Sequence, residues 1–207
     1  MGSVALVNAR VLAGESLRRD VAVLIGGGRI AALLPEPQAR AQAAETVDLE
    51  GGILLPGFID VQVNGGGGVL FNNAPTVEAL RSIVAGHRRF GSTGLLPTLI
   101  SDDVHTMRAA VDAVRQAIAA GVPGVLGIHL EGPYIAPERK GTHNADTFRV
   151  PDAAEIEMAT ALDNGVTLNT LAPEQGRADT IRAMGARGAK VAAGTCSGAR
   201  VMRVTPL

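Results

Sequence analysis

The residues best suited to chemistry stand at the end of one apolar run. Gly124 to Leu130 reads as a β-strand, GVLGIHL, and it stops at a charged Glu131 followed by Gly132-Pro133. Residues i and i+2 of a strand share a face, so His129 and Glu131 point the same way and Leu130 points opposite. An ionised carboxylate at the end of a buried strand costs several kcal/mol unless it is paired or bound to a cation. Carboxylate oxygen and imidazole nitrogen are both zinc donors, and three protein ligands plus water make a catalytic zinc site. The spacing equally suits a glutamate held by backbone N–H groups or by an arginine. A second cluster, Lys140-Gly141-Thr142-His143-Asn144, lies in a loop of about nineteen residues, Gly132 to Val150, and loops this long inside a domain are often functional. His143 there reads either as a substrate contact or as an ordinary surface residue. His87, on a helix flank, and His105, in a first helical turn, read as structural.

These groups need a scaffold that brings strand ends together. After residue 55, apolar runs at Phe58–Val63, Leu95–Ile100, Gly124–Leu130, Val166–Leu171 and Lys190–Ala193 alternate with helical segments. Val104, Met107, Val111, Val114 and Ile118 follow at spacings of 3, 4, 3 and 4 and so form one helical stripe, with Ser101-Asp102-Asp103 supplying capping oxygens. Thr76 is placed to cap a helix ending before Gly91. Pro151-Asp152 opens another that reaches about Asp163, and a further helix is expected over Ala178–Arg187. Parallel neighbours need long crossovers, so the pattern is α/β. Both a doubly wound sheet and a (β/α)8 barrel satisfy it, and in both the site lies at the strand C-termini. The first fifty-odd residues instead read as short β segments, Val4–Val11, Val21–Ile25, Arg29–Leu34 and Thr46–Leu49.

Bulk composition narrows the function. Net charge is −1, there are five aromatic residues (four Phe, one Tyr), and no basic run occurs, which disfavours nucleic-acid binding. No apolar run approaches the roughly 20 residues that span a bilayer. The N-terminus lacks the basic and apolar regions of a secretory signal, and Met1-Gly2-Ser3 is not followed by the hydroxyl residue of a myristoylation site. One cysteine, Cys196, excludes an internal disulfide framework. The expectation is a soluble cytoplasmic protein acting on a small molecule, with no membrane and no nucleic-acid partner. Asn64-Gly65-Gly66-Gly67-Gly68 lacks the Gly-Lys-Ser/Thr ending of a phosphate loop and is expected to be a flexible turn. Asp60, Gln62 and Asn64 alternate along one strand and share a face, offering amides that could hydrogen-bond a substrate or a water.

The segments LPGFIDVQVNGGGGVLFNN, LPTLIS, GIHLEGPYIAPERKGTHN and LAPE, in that order, resemble the N-acetylglucosamine-6-phosphate deacetylases of the amidohydrolase superfamily. Gln62-x-Asn64 takes the place of the His-x-His found in many other amidohydrolases, which argues against dihydroorotase or imidazolonepropionase types. The resemblance runs to about Gly194. It implies a (β/α)8 barrel with a small β-sandwich domain, and hydrolysis of the acetamide of N-acetylglucosamine 6-phosphate to glucosamine 6-phosphate and acetate. It implies a divalent metal, usually Zn, with Glu131 as a ligand, and sugar contacts from Thr142 and His143. It also implies a homodimer for a full-length member. No ligand role is carried onto His129.

The family's next metal ligand is a His where this chain has Thr195, and the resemblance places the catalytic Asp beyond Leu207. The division expected is therefore residues 1–54 as a sandwich segment, 55–194 as an incomplete barrel of about five βα strands, and 195–207 as an aberrant, out-of-frame tail. On this reading no catalytic residue lies within the chain. It is either a fragment of a metal-dependent deacetylase or a non-catalytic product that binds an amino-sugar phosphate weakly.

Overall fold

In the computed structural model, which describes residues 2–194, the chain divides into two units, the second beginning at Gly57. The first contains strands β1 (Val4–Val7), β2 (Arg10–Ala13), β3 (Ser16–Arg18), β4 (Ala22–Gly26) and β5 (Arg29–Leu34), helix α1 (Glu36–Gln42), then β6 (Glu45–Asp48) and β7 (Ile53–Leu54). Strand alternation sorts its side chains into two layers. Ala5, Val7, Ala22 and Leu24 face Ala39 of α1, whereas Val23 and Ile25 join Val11 and Leu54 from the second sheet. The four-stranded sheet β5-β4-β1-β6 is thus covered by α1 on one face and by the sheet β3-β2-β7 on the other. Helix α1 carries little sequence signal, because its start is Pro-rich and only Ala39 is buried.

The second unit contains β8 (Phe58–Val63), the hairpin β9 (Gly65–Gly66) and β10 (Val69–Leu70), α2 (Val77–Arg88), β11 (Ser92–Ile100), α3 (Val104–Ala119), β12 (Gly127–Glu131), α4 (Ala153–Ala159), β13 (Val166–Leu171), α5 (Pro173–Ala186) and β14 (Lys190–Ala193). All neighbouring strands of the five-stranded sheet are parallel, in the order β14-β13-β12-β11-β8. Each new strand adds beside the last without reversal, and α2, α3, α4 and α5 pack as successive neighbours. A doubly wound sheet reverses its strand order. This one curls in a single direction, as part of a (β/α)8 barrel. The apolar core lies between sheet and helices, around Leu80, Ile83, Leu99, Met107, Val114, Ile128, Leu130 and Leu171.

Helix starts follow the capping chemistry: Thr76, Asp103 and Asp152 each accept a backbone N–H three residues ahead. Asp103→Ala is expected to cost about 1 kcal/mol, read as a fall of roughly 2–4 °C in Tm. Three expectations need correction. The segment Val4–Val11 is two strands of different sheets, β1 and β2, parted at Asn8, whose φ is 53°. Helix α4 ends at Ala159, not near Asp163. Helix α5 begins at Pro173, ahead of Ala178, and is broken at Arg177, whose φ of 51° is non-helical. The stretch 195–207 lies outside the described residues.

Candidate functional site

Glu131 ends β12, and Ile100 and Thr170 are its register partners on β11 and β13. Its carboxylate is held from two sides. Gln62 Nε2, from β8, donates to Oε2 at 2.9 Å, and His143 Nε2 stands 3.8 Å from Oε1. The second separation is an electrostatic contact, longer than a hydrogen bond. His143 beside it holds the Glu131 carboxyl below the usual carboxylate range, outweighing burial, which acts the other way. Glu131 is therefore ionised in the neutral range.

The long loop folds His143 back over the strand ends. Its path uses short 3-10 turns at Pro137–Arg139 and Ala145–Thr147, and Asn144 caps the second by accepting from Asp146 N–H. His143 is 7% exposed, tilted against Phe148, and its Nδ1 meets Ser101 just past β11: the hydroxyl at 2.7 Å and the backbone N–H at 3.3 Å. A backbone N–H can only donate, so Nδ1 is an acceptor and the neutral ring carries its proton on Nε2, facing Glu131. Thr142, next door, is exposed. Arg149 closes the loop, donating to Thr147 O at 2.7 Å and Asp102 O at 3.3 Å and pairing with Glu155.

His129 has a different task. Pro97, in β11, supplies no N–H where the register with β8 shifts. There Val63 N–H donates to the Thr98 hydroxyl at 2.9 Å, and His129 Nδ1 lies 2.9 Å from Val61 O. A carbonyl can only accept, so Nδ1 carries the proton and Nε2, 2.8 Å from Thr170 Oγ1, takes the hydroxyl proton. The ring is spent on holding β8, β12 and β13 together. Nothing in the spacing His129-x-Glu131 signals this, because it depends on Pro97, some thirty residues away.

The polar residues of β8 and its end divide. Gln62 reaches Glu131, Asp60 Oδ1 accepts from Gln62 N–H, and Asn64 Nδ2 is buried with no partner among the described residues. The glycine run is not the flexible turn expected. It forms the β9–β10 hairpin, with Gly67 and Gly68 at φ of 60° and 82°, pressed on α2. A Cβ at Gly67 would fall 2.5 Å from Ser82 O, and His87 Nε2 binds Gly65 O at 2.8 Å. His87 is structural, as expected, and its partner is this hairpin.

A zinc ion in a catalytic site needs three protein donors. Here Glu131 is one, the Nδ1 lone pair of His143 is taken by Ser101, and no group of three His, Cys, Asp or Glu that could hold a metal occurs among the described residues. The donor set does not by itself fit a metal. No helix among the described residues is long and apolar enough to cross a membrane.

No family model matches the chain. Curated relatives do match, among them N-acetylgalactosamine-6-phosphate deacetylase of Shewanella sp. (strain ANA-3), 41% identical over 191 residues, and human N-acetylglucosamine-6-phosphate deacetylase, 41% identical over 201 residues. The matches cover 90% of this chain in both cases, and 48% and 47% of the relatives. Among solved structures, N-acetylglucosamine-6-phosphate deacetylase of Pasteurella multocida superimposes with a TM-score of 0.89 at 31% identity, covering 95% of this chain and 52% of that one. The enzyme of the same name from Mycobacterium smegmatis gives 0.82 at 31% identity, covering 94% and 50%. The chain thus spans about half the length of the curated relatives it matches. Over that span, in sequence and in its partial barrel, it belongs to the family of N-acetylglucosamine- and N-acetylgalactosamine-6-phosphate deacetylases.

Proposed function

We propose that this chain carries part of a site for an N-acetyl amino-sugar 6-phosphate, the family's reaction being hydrolysis of the acetamide to the free amine and acetate. The observation that carries the reading is the facing of Glu131 and His143 across the strand end, one fixed by Gln62, the other by Ser101. In this arrangement His143 presents an N–H donor to a ligand oxygen, and the ionised Glu131 supplies the anionic donor that a divalent metal, with zinc the expected ion, would use as one of its ligands. Thr142 is placed beside His143 as a second, exposed sugar contact. The orphaned amide of Asn64 is a further donor awaiting an acceptor.

The remaining requirements of amide hydrolysis are a general base for water and an acid for the leaving amine. Glu131 is committed to Gln62 and His143, and residues 195–207 contain no His, Asp or Glu. The 207-residue chain is therefore expected to bind the sugar phosphate without hydrolysing it. The purified chain, dialysed against zinc and then buffer, should hold well under one zinc per chain and release no acetate from N-acetylglucosamine 6-phosphate or its galactosamine epimer. Saturation-transfer NMR should show contact with one of the two sugars, weakened by His143→Ala. Stoichiometric zinc with acetate release would mean the site is complete within these residues. Absence of contact with either sugar would remove the binding reading.

A further inference from the structure

We propose that Ser101 is the positioning residue for His143, setting its tautomer so that the Nε2 proton is offered to an acceptor oxygen of the bound sugar. The inference rests on the reading of His143 as a sugar contact, and the observations behind it concern the ring alone. Imidazole Nδ1 has one in-plane lone pair, and Ser101 brings two donors to it, the hydroxyl at 2.7 Å and the backbone N–H at 3.3 Å. The opposite tautomer would set two N–H groups against each other at Ser101. It would also turn the Nε2 lone pair toward the Glu131 carboxylate, 3.8 Å away. Both contacts are repulsive, so serine and carboxylate select the same form from opposite sides of the ring.

The backbone is shaped to admit this serine. Gly132, directly after Glu131, has a φ of 81°, and a Cβ there would come within 2.2 Å of Ser101 Oγ. The glycine leaves room for the hydroxyl to reach a ring that is 7% exposed. At 3.8 Å, Nε2–H is too far from Glu131 Oε1 to be satisfied by it. The donor therefore has no acceptor within hydrogen-bond distance among the described residues, and a ligand oxygen entering beside Glu131 would accept its hydrogen bond. A hydroxyl or carbonyl oxygen of the sugar satisfies the requirement, whereas an ammonium or amine donor at that point would not.

The test uses the 207-residue chain, uniformly labelled with 15N. Long-range proton–nitrogen correlation spectra report the tautomer of each of the four histidines, and His143→Gln identifies the signal. Wild type is expected to show a single Nε2–H form at His143. Ser101→Ala, which keeps only the longer backbone contact, should show a mixture, and Ser101→Thr should restore the single form. A role in packing alone would leave the tautomer unmoved. Titration with N-acetylglucosamine 6-phosphate, followed in the same spectra, should give binding about tenfold weaker in Ser101→Ala, the order expected for one lost orienting hydrogen bond. A mixed tautomer in wild type, an unmixed one in Ser101→Ala, or equal sugar affinity in the two would overturn the proposal. If wild type shows the single form and binds neither this sugar nor its galactosamine epimer, Ser101 still sets the ring. The functional reading alone then fails.

Discussion

Replacing His129 with alanine is expected to destabilise the second unit by about 3–5 kcal/mol, although no ligand role attaches to it. Two terms add. The buried ring leaves a cavity among packed strands, a large-to-small loss of a few kcal/mol. Its departure also removes the partner of the Val61 carbonyl and one partner of the Thr170 hydroxyl; both contacts are part-buried, so water offsets some of the roughly 1–3 kcal/mol that a fully buried unsatisfied group costs. Urea denaturation of wild type and variant should show the midpoint shift without a change of slope. His129→Asn, which can still offer an N–H toward Val61 O, should recover part of the loss. A fall under about 1 kcal/mol for His129→Ala would show that the strand clamp does not depend on the ring.

The same residue sets a pH dependence. Burial lowers the His129 pKa, against smaller opposite effects of the Val61 carbonyl and the Glu131 charge. In the unfolded chain the imidazole titrates near 6.5. Below that value the unfolded state binds more protons than the folded state, so stability must fall as pH falls. The contribution is present in full above about pH 6.5, declines below it, and levels off beneath the lowered folded value. Glu131, whose pKa is also lowered, acts in the carboxylate range below about pH 5, so the two windows separate. A Tm measured from pH 7.5 to 5.5 should drop in wild type and flatten in His129→Asn.

What the sequence discloses, and what it hides, follows the range of the interactions involved. Val166–Leu171 and Lys190–Ala193 are found at the bounds expected, because each is a short run of strand-forming residues set between turn signals, and this shows in the sequence even for β14, which stands at the edge of the described sheet with no buried residue. The helices begin where Thr76, Asp103 and Asp152 cap them, since a cap acts across three residues. Glu131 is recognisable as a charge where a strand should be apolar. The choice of a curled over a doubly wound sheet is different, for it is a property of strand order, and no local signal contains it. The partners of Glu131 are likewise invisible: Gln62 lies 69 positions earlier, and Ser101 meets His143 across 42. The glycine run misleads for the same reason. Glycine spacing looks like freedom, and only the approach of Ser82 and His87 shows that small size, not mobility, is what these positions require.

Arg149→Ala is expected to cost about 3 kcal/mol and to release the loop that carries His143. The guanidinium is the partner of the nearly buried Glu155, and it ties Thr147 O and Asp102 O to the same point, so the loop's exit and the end of β11 are fixed together. Removing one member of a buried ion pair leaves the other charge uncompensated, typically at a cost of about 3–5 kcal/mol; a quarter-exposed Arg149 places this pair at the lower end. Replacing both charges tells the two consequences apart. Arg149→Met with Glu155→Leu buries no charge, and exchanges of this kind are often neutral or stabilising. The double variant should therefore recover most of the lost stability by denaturant titration. It restores none of the ties to Thr147 and Asp102, so His143 stays loose and contact with the sugar phosphate should remain as weak as in Arg149→Ala. If sugar contact returns together with stability, the loop is held by packing of its apolar residues, and the guanidinium serves Glu155 alone. If stability returns and contact does not, Arg149 is the latch by which the fold holds His143 over Glu131.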